Sequence, residues 1–247
     1  MHSDTYTPGY NVPVLSFLEH RTAEIHGGFF LPQLRPGWRV LDAGCGPGTI
    51  TLGLARAVSP GQVTGIDLED SQFLNVRDRA EREGLNVEFR KASVYELPFE
   101  DGSFDAVFSH ALLGHLSAPD AALLELRRVL KPGGLIGLRA ADLGGLLIDA
   151  ASDRPAQALA AYVANQKSGS KDPNVGRKIG RLLGQAGFTV QNMTASYEVI
   201  TETLLTIGPS LAERFAVPGD CDLGDDKSCD HSLFVALAWC EAIGCAT

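Results

Sequence analysis

Between Arg39 and Arg139 the chain alternates short β-rich runs with amphipathic helical runs, with glycine or proline at the junctions, a pattern that predicts a parallel α/β sheet. Arg39 to Ala43 reads as a first strand and Thr49 to Val58 as a helix closed by Pro60-Gly61. Val63 to Ile66, Val87 to Arg90, Phe104 to Ser109 and Leu135 to Arg139 follow as strands, with helices at Ser71 to Glu83 and Pro119 to Leu130 between them. Upstream, Val14 to Leu34 predicts one or two helices ahead of the Arg35-Pro36-Gly37 turn. Downstream, Leu146 to Val163, Val175 to Ala186 and Thr201 to Glu213 read as helices, and Thr189 to Ile200 and Leu233 to Trp239 as strands of an antiparallel edge hairpin.

The 247 residues suit one domain, and no apolar run reaches the roughly 20 residues of a membrane span. Thirty acidic against 21 basic residues give a net charge of -9, which repels polyanions. The densest basic stretch, Arg77 to Lys91, is interleaved with Asp78, Glu81, Glu83 and Glu88 and reads as a solvated helix face. The first ten residues lack the pattern of a signal peptide, so a cytoplasmic protein with reduced cysteines is expected. Cys221, Cys229 and His231 lack the paired short spacing of a zinc site, and no metal is expected.

The sharpest motif is Asp42-Ala-Gly44-Cys45-Gly46-Pro-Gly48-Thr49, a glycine turn between strand and helix, where a ligand meets backbone amides. A nicotinamide-binding turn wants G-x-G-x-x-G, but counting from Gly44 places Thr49 where the third glycine belongs. No Tyr-x-x-x-Lys pair is present either, and a nicotinamide-dependent oxidoreductase is the remote alternative. Asp67 stands about 20 residues after the turn at the next strand's end, where an acid accepts both hydroxyls of a ribose. Asp42 opposes a pyrophosphate but favours a phosphate-free cofactor with a cationic tail.

VLDAGCGPG resembles the first motif of the small-molecule class I S-adenosylmethionine-dependent methyltransferases, in particular those similar to the ubiquinone/menaquinone-biosynthesis C-methyltransferases. Gly65-Ile-Asp67-Leu68, Leu97-Pro-Phe99 through Ser103-Phe-Asp105, Arg128 through Gly134 and Ala238-Trp-Cys-Glu-Ala242 extend the resemblance over most of the chain. It implies an α/β, Rossmann-like fold: a seven-stranded, mostly parallel sheet with an antiparallel last strand, helices on both faces, an N-terminal helical flap and helical insertions. The expected layout is a flap over 1–36, a cofactor-binding core over 37–142, a helical insertion over 143–187 and C-terminal strands with an insertion over 188–247.

The cofactor implied is S-adenosylmethionine, leaving as S-adenosylhomocysteine, with contacts from Tyr6, Arg21, Asp42, Gly44, Cys45, Gly46, Gly48, Thr49, Asp67, Leu68, Gln72, Ser93, Val94, Ser109 and His110. Asp67 holds the ribose in this reading, and Ser93 stands where the family often has the acid that meets the adenine amino group. Arg21, in Arg21-Thr22-Ala23-Glu24, is placed on the cofactor carboxylate, which a guanidinium can fork. Tyr6 and Tyr10 fall on the flap.

Methyl transfer from a sulfonium needs alignment above all, with a base only where the acceptor must lose a proton. His110, His115 and Asp142 are the catalytic candidates, the two histidines following the fourth strand. That segment reads Ser-His-Ala-Leu instead of the Asn/Asp-Pro-Pro-aromatic tetrad of DNA amino-methyltransferases, which with the acidic charge argues against nucleic acid. The expected acceptor is a small molecule, a secondary metabolite or quinone-like compound methylated on O, N or C. The protein is expected to act as a monomer or homodimer without a membrane partner. A protein that binds the cofactor without transferring its methyl, as in an assisted cyclisation, is the alternative.

Overall fold

The computed structural model describes residues 18–71, 73–149, 171–200 and 234–247, with a few single positions between them. Its strands are β1 (Arg39–Ala43), β2 (Gln62–Asp67), β3 (Val87–Lys91), β4 (Phe104–His110), β5 (Leu130–Asp149), β6 (Phe188–Val199) and β7 (Phe234–Ala246). They form one sheet in the order β3-β2-β1-β4-β5-β7-β6. The pairs from β3 to β5 are parallel, whereas β7 runs antiparallel to both β5 and β6, so it alone is reversed. This is the expected seven-stranded sheet with its last strand inverted.

Helices α1 (Ala23–His26), α2 (Thr49–Val58), α3 (Phe73–Arg82), α4 (Pro119–Val129) and α5 (Ile179–Gln185) cover the sheet. Successive strand residues point to opposite faces, and in β1 both faces are buried. Val40 packs with Phe30, Leu54, Ala106 and Phe108, while Leu41 packs with Val107, Leu123, Leu126 and Leu183. Fully burying side chains of this size is worth about 1.5–3 kcal/mol each. Gly137 in β5 makes room for Phe30: a Cβ there would lie 2.4 Å from the ring.

From β1 to β4, and again at α4 and β6, the elements fall within a residue or two of their expected ends; the others differ more. Residues 146–149, expected in a helix, extend β5, where Leu147, Ile148 and Asp149 pair with Ala236, Val235 and Phe234. A register shift after Asp142 absorbs Gly144-Gly145, and the free ladder positions of β7 capture the chain beyond it. β7 continues past Trp239 to Ala246, its small residues fitting a doubly paired strand. Within the expected 14–34 helices, Leu15, Leu18 and Glu19 are helical, Gly27 caps the single turn of α1, and a 3-10 turn follows at Leu31–Gln33. Likewise, the expected 175–186 helix opens as a 3-10 turn at Gly176–Lys178 before α5.

Between 150 and 170, Gln157, Ala160, Ala164 and Lys167 are helical. The expected helix at 201–213, Tyr6, Tyr10, Gln72, Cys221, Cys229 and His231 lie outside the described residues. No helix among the described residues is long and apolar enough to cross a membrane.

Candidate active site

Strand order reverses between β1 and β4, and in open α/β sheets a ligand crevice forms at that point, beyond the carboxyl ends of the strands. β1 delivers Asp42 there and the glycine turn follows. Gly46 (φ 51°) and Gly48 (φ 76°) hold left-handed backbone, but their surroundings differ. A Cβ on Gly48 would stand 2.7 Å from the Phe89 ring, whereas one on Gly46 would meet no atom within 4 Å. Gly48 therefore closes the turn onto the core, and Gly46 leaves its outer side open.

Above the turn lies a cavity of about 160 Å³. Arg21, Asp42, Gly44, Cys45, Gly46, Thr49, Asp67, Leu68, Ser93, Val94, His110 and His115 all line it. Asp67 is tied to the turn, since the Gly46 N–H donates to Oδ2 at 2.9 Å and the Glu69 N–H to Oδ1 at 3.1 Å. The Leu68 backbone N–H also acts on this carboxylate, whose remaining lone pair can accept a ligand hydroxyl. Burial raises the Asp67 pKa, with these backbone donors pulling against it.

Asp42 is buried at the cavity floor and accepts the Thr51 hydroxyl at 2.6 Å. Burial pushes its pKa up to about 7; the Thr51 bond opposes this and the nearby Asp67 charge adds to it. No cation pairs with Asp42 among the described residues. Burial and the same two acids push the Cys45 thiol well above its ordinary range, so it lines the cavity as an unreactive thiol.

The opposite wall comes from the exit of β4. Ala111 adopts φ 60°, uncommon for a residue with a side chain, and its N–H is held by the Arg139 carbonyl at 2.8 Å. Beside it, the buried His110 lies between two guanidinium groups: Arg139 Nη1 is 2.8 Å from Nε2, and Arg21 Nη1 is 3.4 Å from Nδ1. Burial, then Arg21, Arg139 and His26, hold the His110 pKa well below its ordinary value, so the ring is neutral. Arg139 is buried too; its Nε meets Glu241 and its Nη2 meets Glu198, both at 3.2 Å, and it stacks 4.2 Å from the Trp239 ring centre.

The other candidates lie apart from the cavity. Ser109 is buried with its hydroxyl donating to the Ala43 carbonyl, which ties β4 to β1. Asp142 stands at the register shift of β5 and takes three hydrogen bonds from Arg177, from Nε and Nη2 at 2.6 Å and from the backbone N–H at 3.1 Å. It thus fastens the 171–178 segment to the sheet. Leu18, Pro47, Ile50, Ile66, Ala92, Tyr95, Leu112 and Leu116 complete the wall and were not singled out from the sequence. Arg139 was also missed, although an arginine inside the apolar run Leu135 to Ala141 is itself a signal.

A family model described as a methyltransferase domain matches residues 40–134, which hold the glycine turn, Asp67 and both histidines. An uncharacterised methyltransferase of Schizosaccharomyces pombe is 41% identical over 130 residues, 50% of this chain and 47% of that protein. A ubiquinone/menaquinone biosynthesis C-methyltransferase of Brucella anthropi is 43% identical over 106 residues, 42% and 40% of the two chains. The alignments span about half or less of these relatives' own length. Among solved structures, the geranyl diphosphate C-methyltransferase of Streptomyces coelicolor A3(2), in complex with S-adenosyl-L-homocysteine, superposes with a TM-score of 0.59 at 17% identity, covering 91% of this chain and 78% of that one. The 4+2 cyclase SpnF gives 0.51 at 25% identity, covering 92% and 79%. Residues 40–134 thus match a methyltransferase domain, and the chain shares the Rossmann-like fold of solved class I methyltransferases.

Proposed function

We propose that the chain transfers a methyl group from S-adenosylmethionine to an oxygen, nitrogen or carbon of a small-molecule acceptor, a secondary metabolite or quinone-like compound. The observation that carries this reading is Asp42, a buried acid without a cationic partner among the described residues, in the same cavity as Asp67 and Arg21. A buried carboxylate is costly unless a cation meets it, so this floor fits a ligand carrying positive charge and disfavours a pyrophosphate. Asp67 would take the ribose hydroxyls, Asp42 the ammonium of the amino-acid tail, and Arg21 with His110 its carboxylate. Leu68, Ala92, Ser93 and Val94, at the end nearest Asp67, would border the adenine.

When bound, the cofactor would supply an electrophilic methyl carbon on a sulfonium, and the departing group would be a neutral thioether. The chain's part is alignment and exclusion of water. His110 is poorly suited to remove a proton, being buried and neutral with a guanidinium at each ring nitrogen. His115, also on the cavity wall, is the better placed base for an acceptor that must be deprotonated. Acceptor choice would fall to residues 1–36 and to the connections leaving β5 and β6.

Calorimetric titration with S-adenosylmethionine and S-adenosylhomocysteine, beside an NADH control and the Asp67→Ala variant, tests this. Binding of both sulfur ligands that is lost in the variant supports it, and a labelled-methyl acceptor screen then follows. Preference for NADH overturns it. Binding without transfer to any acceptor class favours the cyclase-like alternative.

A further inference from the structure

The Arg139 side chain reaches the candidate site through His110, and the geometry there assigns a tautomer. A guanidinium donates hydrogen bonds and accepts none. At 2.8 Å from Arg139 Nη1, His110 Nε2 must therefore be the accepting nitrogen. A neutral imidazole has a single N–H, so the proton sits on Nδ1, opposite to the Nε2–H form that predominates for free histidine. Nδ1–H then points toward Arg21 Nη1 at 3.4 Å, too long for a good hydrogen bond and with a donor on each side. Two donors brought together on the wall of one cavity form a receptor for an anionic oxygen.

We propose that Arg139 is a positioning residue: by donating to Nε2 it fixes His110 as an Nδ1–H donor, which with Arg21 receives the carboxylate of the cofactor's amino-acid tail. The inference rests on the S-adenosylmethionine reading given above. The surroundings of His110 fit such a role. His26, on α1, meets its ring edge-on at 5.1 Å, and Trp239, on β7, packs at 4.9 Å. Glu198 on β6 and Glu241 on β7 anchor Arg139, Glu198 also lying 3.7 Å from His26 Nε2. Glu241 is itself oriented by the Ser196 and Thr194 hydroxyls, each at 2.8 Å. Both histidine nitrogens thus face permanent cations, and the carboxylates stand one residue further out, behind Arg139 and His26. This arrangement stabilises the neutral, singly protonated ring and restricts its rotation.

The test begins with the unliganded wild-type protein labelled with 15N in histidine, the His110 signal being assigned by its loss in His110→Asn. Nitrogen shifts of a neutral ring protonated on Nδ1 are expected; a ring protonated on Nε2, or doubly protonated at neutral pH, overturns the inference whatever the protein binds. The second arm compares S-adenosylhomocysteine with 5′-methylthioadenosine, which lacks the amino-acid tail, in wild type, Arg139→Met and Arg139→Lys. Arg139→Met is expected to switch His110 to Nε2–H and to weaken S-adenosylhomocysteine by about tenfold to a hundredfold, the worth of a charge-assisted hydrogen bond, with methylthioadenosine little changed. Arg139→Lys, which still donates to Nε2, is expected to restore most of that loss. Equal weakening of both ligands, or of neither, overturns the inference. Should Arg139→Met not fold, the wild-type tautomer decides alone. Failure of wild type to bind either ligand, with Nδ1–H present, would instead sink the cofactor reading and the anion role with it, leaving the Arg139 to His110 contact as found.

Discussion

The Thr51 hydroxyl donates to Asp42 across 2.6 Å at the floor of the cavity, and both residues are buried. That single bond opposes the burial that has driven the acid from its ordinary 3.8 to about 7. The Asp42 titration therefore overlaps the pH range in which binding can be measured.

Cation binding beside Asp42 requires the ionised acid, so a proton leaves when ligand binds below about pH 7. Affinity for S-adenosylhomocysteine is expected to rise with pH and then level off above about 7, with a limiting slope of about tenfold per pH unit on the acid side. Calorimetry in two buffers of different ionisation enthalpy measures the released proton directly. The unliganded protein behaves in the opposite sense. Between 3.8 and about 7 its folded state holds a proton that the unfolded chain has lost, so this group's contribution to stability falls as pH rises through that window.

Thr51→Val removes the hydroxyl that donates to Asp42 and keeps the side chain's shape. The affinity profile is expected to shift to higher pH, and stability to fall by about 1 kcal/mol. Chemical denaturation with and without ligand checks both effects.

Two of the turn's three left-handed glycines, Gly46 and Gly48, are expected to fail differently. Gly48→Ala forces a methyl against the Phe89 ring as well as a strained backbone, and about 2–4 kcal/mol of stability should be lost. Gly46→Ala carries only the backbone cost, about 1–2 kcal/mol, but its methyl stands on the cavity wall. Ligand affinity should fall more in Gly46→Ala than its stability loss explains, a comparison that thermal melts and titrations make together.

Asp142→Asn leaves the cavity wall intact and breaks the clasp on Arg177. Burial disfavours the Asp142 charge, but the Arg177 hydrogen bonds and charge outweigh this and hold its pKa below the ordinary value, so the clasp is made by the ionised acid. The variant is expected to show faster amide exchange over residues 171–178, while S-adenosylhomocysteine affinity stays within about twofold. A larger loss of affinity would place Asp142 on the cofactor, and a loss of turnover at saturating cofactor would place it on the substrate.

The glycine turn and Asp67 were legible because local chemistry imposes both: the turn needs left-handed backbone within five residues, and the acid ends the adjoining strand. The Arg139 cluster was not, because its members come from positions 139, 198 and 241 and meet only through strand register, Arg139 opposite Glu241 and Glu241 opposite Thr194. The trace it leaves in the sequence is one arginine and one glutamate, each alone in an apolar strand, which could have been paired as opposite charges in a core. The long β5 was hidden for another reason. Its glycines at 144 and 145 read as a break, and only the partner strand shows that the chain steps across a register shift and resumes pairing.

The counter-charges of Arg139 arrive on β6 and β7, and the connections spanning 150–170 and 201–233 run between β5, β6 and β7. A homologue or an engineer can therefore redraw those connections without disturbing the charges, but cannot exchange the strands unless Glu198 and Glu241 travel with them. Grafts that join a foreign connection to native strands should inherit a working cradle. Grafts that replace the strands would strand a buried arginine without its anions.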